Sequence, residues 1–360
     1  MASKYHFELW TPDGELIADF AGRAKNRRLT LQRNEAEDII WQIDLAELER
    51  YARLMNTTPQ SLLQPGWTEV RVRRGSTYLC GGIVMLREVR LSPTEQDVEV
   101  RAQGFLNLFA HRHVLMGALN EEEFTGYGNQ IAADLITFVQ NHGWGVGGPY
   151  DFGVTIGSLP ALSVSRIRNY SPQVVVKEAI QNLTKLESGT FDFEFTADKV
   201  FNTYETMGSR RDDIVFTYPG NIKRLSSPLD AQNLANAVSY YGAGSGDAAV
   251  KATYIRSDSL GNYKAWEKII TDSSISEEDT LLEHAIAYAD TWAWPFEIPA
   301  IEVDGNVAPF ITDYGIGDYI RVDLSAHEIL SHVNGYFRIE KIELAIDEND
   351  NESVKLSLSQ

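Results

Sequence analysis

Two stretches decide how this chain is read: GWTEVRVRRGSTYLCGGIVMLREVRLSPTEQDVEVRA at residues 66–102 and GDYIRVDLSAHEILSHVNGYFRIEKIELAIDENDNESVKLSL at residues 317–358. The first divides into strands at Glu69–Arg73, Ile83–Leu91 and Val98–Ala102. The second divides into Asp318–Val322, Phe337–Ile346 and Val354–Leu358. Each opens on a Gly-led strand whose apolar residues fall at every second place, Val70 and Val72 in one, Ile320 and Val322 in the other. Alternation of that kind is what a half-buried antiparallel strand needs, because successive side chains point to opposite faces. A loop ending in Gly81-Gly82 or Gly335 follows, then a long strand with charge on its outer face (Arg87 and Arg90; Lys341 and Glu343). An acidic turn (Glu95 and Asp97; Asp347, Glu348 and Asp350) leads to the closing strand. Two β-modules of one design imply a duplicated architecture.

Working outward, Tyr5–Trp10 and Leu16–Phe20 flank Thr11-Pro12-Asp13-Gly14, a hairpin signal because Pro presets the turn and Gly accepts a positive φ. Leu45, Leu48 and Ala52 recur at helical spacing, so Asp44–Met55 reads as a helix with Asp44 as N-cap. Phe105–His113 reads as a short closing helix under the mouth of the barrel. The texture changes at Met116. Helices are expected at Asn129–Asn141 and Val174–Leu186, the latter opened by Ser171-Pro172, with a glycine-rich loop at His142–Gly148 and strands at Phe191–Phe195 and Ile214–Tyr218. Strands return at Ala237–Tyr241 and Val250–Arg256. Helices are expected at Ser259–Ile270 and at Thr280–Trp292, with Ser276 and Asp279 near the start of the second. The reading is therefore α+β and mainly β. It has a first barrel-like domain over 1–115, a lateral α+β domain over 116–220, and a second barrel-like domain over 221–360 carrying a helical insertion at about 257–295.

The composition narrows the function classes. The chain has 360 residues, enough for several cores, and a net charge of -19. The first 115 residues are neutral, so everything after Leu115 carries that charge. Such a chain offers nucleic acid no broad basic face. Cys80 is the single cysteine, which excludes an internal disulfide and a cysteine-built metal site and fits synthesis in a reducing cytosol. No apolar run reaches the length of a spanning helix, and Met1–Trp10 lacks the order of a signal peptide, so membrane insertion is not expected. Arg23, Lys25, Arg27, Arg28 and Arg33 form a local basic cluster, readable as a solvated loop or as a docking patch for an acidic protein.

Candidate chemistry is sparse. His327, Glu328 and His332 suggest a zinc-protease motif, but the histidines are five apart where one helical face needs four. Gly242-Ala243-Gly244-Ser245-Gly246 lacks the helix that a phosphate loop serves, and reads as a hairpin. Asp192 and Glu194 fall on one face of a strand at roughly 7 Å, the separation of an inverting glycosidase pair. The same alternation is that of a half-solvated strand. Asp347, Asn349 and Asn351 begin like a calcium loop, yet Glu352 stands where glycine is required. Trp292-Ala293-Trp294-Pro295 could stack on a sugar or fill a core. No catalytic, cofactor or metal site is assigned.

The order of these pieces resembles a family. FELWTPDGELIADF at 7–20, the first meander followed by VRAQGFLNLFAHR at 100–112, YKAWEKII with TLLEHAIAYA at 263–289, and GIGDYIRV, FRIEKIEL and VKLSLS toward the end are similar to the central tail hub proteins of tailed bacteriophages and contractile injection machines. The resemblance spans nearly the whole chain. It implies a non-enzymatic structural protein of the virion tail tip, assembled in the cytoplasm of a bacterial host. It implies a homotrimer whose two barrel-like, tube-forming domains per chain make a pseudo-six-fold ring. That ring would join a six-fold tail tube or distal tail protein to a three-fold spike or fibre, and DNA would pass through it. Part of the acidic excess would line the channel. Because the chain stops at Gln360, a hub without a lytic module is expected. A carbohydrate-binding tail module using Trp292 and Trp294, or a wall hydrolase using Asp192 and Glu194, are the alternatives.

Overall fold

The computed structural model describes residues 4–93, 96–115, 119–142, 151–185, 188–226, 229–244, 246–272, 275, 278–294, 296–297, 300–331 and 333–359. Strands hold 43% of the chain and helices 20%, so the fold is α+β and mainly β as expected. Met1–Arg224 with Ile301–Gln360 form one compact unit, and Leu225–Ala300 form another. Among the described residues no helix is long and apolar enough to cross a membrane.

The first unit begins with β1 (Tyr5–Trp10) and β2 (Leu16–Asp19), joined through Gly14 at φ 84°. β3 (Lys25–Gln32) and β4 (Asp38–Asp44) follow. Then come helices α1 (Leu45–Leu54) and α2 (Pro59–Leu62), and the meander β5 (Glu69–Arg74), β6 (Thr77–Leu91) and β7 (Gln96–Gly104). Asp44 stands at the N-cap of α1 but makes no capping bond, because its carboxylate pairs with Lys25 at 2.7 Å. Phe7, Trp41, Val72, Val84 and Val100 fill the core under this sheet.

The middle of the chain adds β8 (Glu122–Tyr127), α3 (Gly128–Asn141), β9 (Thr155–Ile156), β10 (Ser165–Tyr170), α4 (Val176–Leu183), β11 (Asp192–Phe195) and β12 (Val200–Tyr204). The 3-10 helix Phe105–His111 contributes Phe105, Leu106 and Phe109 to the core of this layer, packed with Ile131, Leu135, Ile180 and Phe201. Val176 opens α4, so Pro172 lies in the preceding turn and not in the first helical turn. Leu186, Glu95, Met116 and most of the glycine loop, residues 143–148, lie outside the described residues.

β13 (Arg210–Thr217) and β14 (Ile222–Ser226) lead into the second unit. That unit holds the short pair β15 (Leu229–Asp230) and β19 (Phe296–Glu297), and a sheet of β16 (Ala237–Tyr241), β17 (Lys251–Ile255) and β18 (Glu267–Thr271). A single turn, α5 (Ser257–Leu260), and α6 (Glu278–Trp292) complete it. Ala285 and Ala289 of α6 pack on Ala235 and Val238. The helix expected over Ser259–Ile270 is not formed. It ends after one turn at Gly261, and Asn236 then holds the chain extended, accepting the Trp266 N–H at 2.9 Å and donating to the Lys264 carbonyl at 3.0 Å. Glu267–Thr271 is thereby delivered to β16 as a parallel strand. Ser276 lies outside the described residues.

The chain re-enters the first unit with β20 (Ala300–Asp304), β21 (Tyr319–Asp323), β22 (Asn334–Ile346) and β23 (Glu352–Ser359). The two meanders match in detail. β5·β6·β7 and β21·β22·β23 are both antiparallel, and β6 and β22 carry a bulge at one equivalent place, between Val84 and Leu86 and between Ile339 and Lys341. In the first, the N–H of Gly66 donates to the Val84 carbonyl at 2.7 Å, and that of Val84 to Thr68 at 2.9 Å. In the second, the N–H of Gly317 donates to Ile339 at 2.8 Å, and that of Ile339 to Asp318 at 2.9 Å. Both glycines hold positive φ, 75° and 87°. The likeness extends outward, since β3-β4-β7-β6-β5 and β14-β20-β23-β22-β21 repeat one spatial order. The two runs form one 13-stranded sheet because β3 bonds antiparallel to β22, Gln32 opposite Lys341 through Arg27 opposite Ile346.

The two glycines differ in surroundings. A Cβ on Gly66 meets nothing within 4 Å, whereas one on Gly317 would lie 2.5 Å from the Met207 carbonyl oxygen. Gly66→Ala should therefore cost only the backbone strain, about 1–2 kcal/mol. Gly317→Ala should add about 1–3 kcal/mol of forced displacement. Equal losses in denaturant melts of the two variants would contradict the close approach at Gly317.

Candidate functional site

The most heavily built polar site lies where the two meanders and the middle layer meet. Asp192, on β11, is 4% exposed. Its Oδ1 accepts from Arg33 at 2.7 Å and from the Asn34 amide at 2.9 Å, and its Oδ2 accepts from Arg338 at 2.6 Å and from the Met207 N–H at 2.9 Å. Arg33 follows β3 and Arg338 sits within β22, so one carboxylate is shared by both modules. Burial alone would raise its pKa. The four donors outweigh burial and hold the carboxyl below the ordinary 3.8. Arg33 also binds Glu340 at 2.7 Å, while Arg338 donates to the Met207 carbonyl at 2.9 Å.

Two further buried pairs tie the same parts. Lys199 donates to Glu69 at 2.7 Å, to the Pro12 carbonyl at 2.9 Å and to the Phe152 carbonyl at 3.1 Å, joining the middle layer to the first module. Arg74 of β5 pairs with the fully buried Glu352 of β23 at 2.8 Å. Tyr5 and Tyr314 lie in the field of Glu352, and burial followed by that charge pushes both phenols well up.

Beside Asp192 lies a cavity of about 390 Å³ lined by residues including Arg33, Glu37, Tyr78, Glu194, Thr196 and Tyr314. Burial pushes Glu37 up to about 8, with the charges of Glu194 and Asp38 adding. Glu194 accepts the Tyr204 hydroxyl. The glycosidase reading of Asp192 and Glu194 therefore meets a different geometry: Asp192 is saturated by four donors, and Glu194 alone lines the cavity.

The other sequence candidates are dispersed. His327 lies in the loop between β21 and β22, where its Nδ1 accepts the Leu330 N–H at 3.2 Å, and His332 lies outside the described residues. Gly242 and Gly244 belong to the β16–β17 hairpin, and Ser245 lies outside the described residues. Asp347 closes a turn by accepting the N–H groups of Asn349 and Asn351, both at 2.8 Å. Trp292 rests against Tyr288 and Trp294 against Tyr263, while Pro295 lies outside the described residues.

The basic cluster is largely used up internally. Arg27, 2% exposed, pairs with Asp350 at 2.7 Å, Lys25 with Asp44, Arg23 with Glu47 at 3.7 Å, and Arg33 with Asp192 and Glu340. That pairing takes up four of the five charges and leaves Arg28 exposed, and the solvated-loop reading is corrected, since Lys25–Gln32 is strand β3. His6, Glu8 and Asp19 converge as metal ligands would. However, Arg73 already places its guanidinium there, 2.6 Å from Glu8 and 3.0 Å from the His6 Nδ1.

Sequence reasoning missed Arg33, Arg338 and Lys199 as partners. The available signal was a run of charged residues at strand ends, which does not say which carboxylate each will meet.

Replacing Asp192 by Ala leaves Arg338 buried and unpaired, so a loss of about 3–5 kcal/mol is expected. Glu194→Gln, which keeps an acceptor for Tyr204, should stay within about 1 kcal/mol. Both are read from urea melts. The Asp192 contribution is whole above about pH 4 and is lost as pH falls through the depressed folded value. Glu37 has the opposite sign. Its folded value near 8 stands above the ordinary 4.5, so folding takes up a proton and stability falls as pH rises between the two. Glu37→Gln should therefore be more stable than the parent above pH 4.5, by a margin that grows to pH 8. A margin independent of pH would refute the assignment.

Residues 210–359 match the prophage endopeptidase tail family. No curated protein matches in sequence. In fold the chain is similar to the 43 kDa tail protein of prophage MuSo2 from Shewanella oneidensis (11% identity, TM-score 0.66, covering 98% of each chain). It is similar to the tail protein from Neisseria meningitidis MC58 (13% identity, TM-score 0.64, covering 99% of this chain and 96% of that one). A chain of the Francisella PdpA-VgrG complex also matches (9% identity, TM-score 0.58), over 98% of this chain and 52% of that one. At these identities the likeness is one of fold.

Proposed function

We propose that the chain is the central hub of a phage tail tip: residues 210–359 match the prophage endopeptidase tail family, and the fold is similar to those of two solved tail proteins. In this reading three copies form a ring that joins a six-fold tail tube or distal tail protein to a three-fold spike or fibre. Residues 1–115 and 221–360 supply the two tube domains, the latter interrupted not by the helical insertion expected at about 257–295 but by the larger, strand-containing unit Leu225–Ala300, and residues 116–220 supply the lateral one. The observation that carries the reading is the repeated five-strand order with its matched bulges and glycines. One chain then offers two equivalent wall segments, and three chains offer six. Head-to-tail contacts between such segments close into a ring when the rotation between them closes.

The role is structural and not catalytic. The Asp192 clamp supports this, since a carboxylate held by two arginines is a poor proton donor. DNA is a transient occupant of the channel, for the net charge of -19 gives its phosphates little to hold. The chain is a component of the virion tail, and its assembly takes place in the host cytoplasm before DNA ejection.

Three 40.4 kDa chains make about 121 kDa. Native mass spectrometry should find that species, and electron micrographs should show rings with six lobes around a channel. A protein that stays monomeric both alone and mixed with its tail tube protein would overturn the reading.

A further inference from the structure

The internal repeat exposes an edge that has lost its partner. The bulge equates Leu86–Leu91 of β6 with Lys341–Ile346 of β22. In the second module this segment has β23 on one side and β3 on the other. In the first module it has β7 on one side, and among the described residues no strand on the other. The consequence is visible in exposure. Leu344 and Ile346, roofed by β3, are each 3% exposed, whereas their equivalents Val89 and Leu91 are 48% and 68% exposed. An unpaired edge that exposes Leu86, Val89 and Leu91 is one that stable proteins cover.

The backbone is aimed accordingly. Arg33 N–H donates to the Glu340 carbonyl at 3.1 Å, so Glu340 and every second residue after it turn their backbone groups toward β3. By equivalence Arg87, Val89 and Leu91 present theirs to the open edge. The repeat also names the missing strand. β3 ends the run β3-β4-β7-β6-β5, and its counterpart at the end of the second run is β14, whose outer side has no strand among the described residues.

We propose that the open edge of β6, Leu86–Leu91, is filled by β14 of a second copy of this chain, as β3 fills the edge of β22 within one chain. The contact is head-to-tail, because β14 and β6 are different surfaces, and each copy gives its β14 edge to one neighbour and its β6 edge to the other. This rests on the ring reading above and specifies its seam. Exposed Trp67, beside the Gly66 that bonds to β6, becomes part of the same covered border.

Two variants test it. Val89→Pro removes one edge-facing N–H while leaving the ladder to β7 intact, and should be monomeric where the parent is trimeric. A photoactivatable residue at Leu91, in a mixture of isotopically heavy and light copies, should capture β14, Ile222–Ser226, of a different copy. Trimers that survive Val89→Pro, with Leu91 captured elsewhere, would overturn the seam and leave the ring standing. A parent chain that never assembles, even with the tail tube protein, would overturn both.

Discussion

The fold depends on keeping one carboxylate charged in a place with little water. Burying Asp192 costs several kcal/mol by itself, and that cost is offset only if the donors are complete and well placed. Here the donors come from three distant parts of the chain: Arg33 and Asn34 after β3, Met207 before β13, and Arg338 in β22. The arrangement is therefore all-or-none. If β3 slips along β22, Arg33 leaves Asp192 and Glu340 together, and a buried charge is exposed to an apolar core. Register between the modules, which period-two alternation alone would leave free to slip by two residues, is fixed at this point.

The same logic explains how so many charges can lie in and around one sheet. Glu69 with Lys199, Arg74 with Glu352 and Arg27 with Asp350 each join segments more than 100 residues apart. Pairs of this kind add little net stability over apolar residues of equal size, but they penalise wrong pairings heavily. A sheet that must be continuous through two near-identical modules has an unusual need for that, because each strand has a plausible wrong partner in the other copy. The pairs differ between modules where the apolar patterns agree: the second module has Asp323 at the place of Arg73 and Leu324 at the place of Arg74.

The meanders were legible from the sequence because they are local. Each apolar residue at every second place reports a face, and each glycine a turn, with no knowledge of the rest of the chain. Helices α1, α3 and α6 were legible for the same reason. What stayed hidden was long-range or competitive. The bond between β3 and β22 joins residues about 310 apart, and Leu29 gives no sign that Leu344 will lie opposite. The basic cluster looked like a patch because charge is visible in sequence and pairing is not. The false helix at Ser259–Ile270 had acceptable spacing, but Asn236, some 30 residues away, captured the chain in extended form. Asp192 was singled out for its neighbour Glu194, and its real partners lie in other segments.

The repeat also clarifies where the chain tolerates growth. β3 and β4 are joined by residues 33–37, and the equivalent strands β14 and β20 by the whole of a second compact unit. Closing a longer loop adds only slowly to the entropic cost, so a folded segment can enter a hairpin turn if its ends are brought close together. The short pair of β15 with β19 does this, holding Leu229–Asp230 against Phe296–Glu297. The insertion thus leaves the ladder of the second module in the order of the first. Selection can then change the inserted unit without disturbing the strands that both modules share, and the two wall segments of one chain stay alike while what they carry differs.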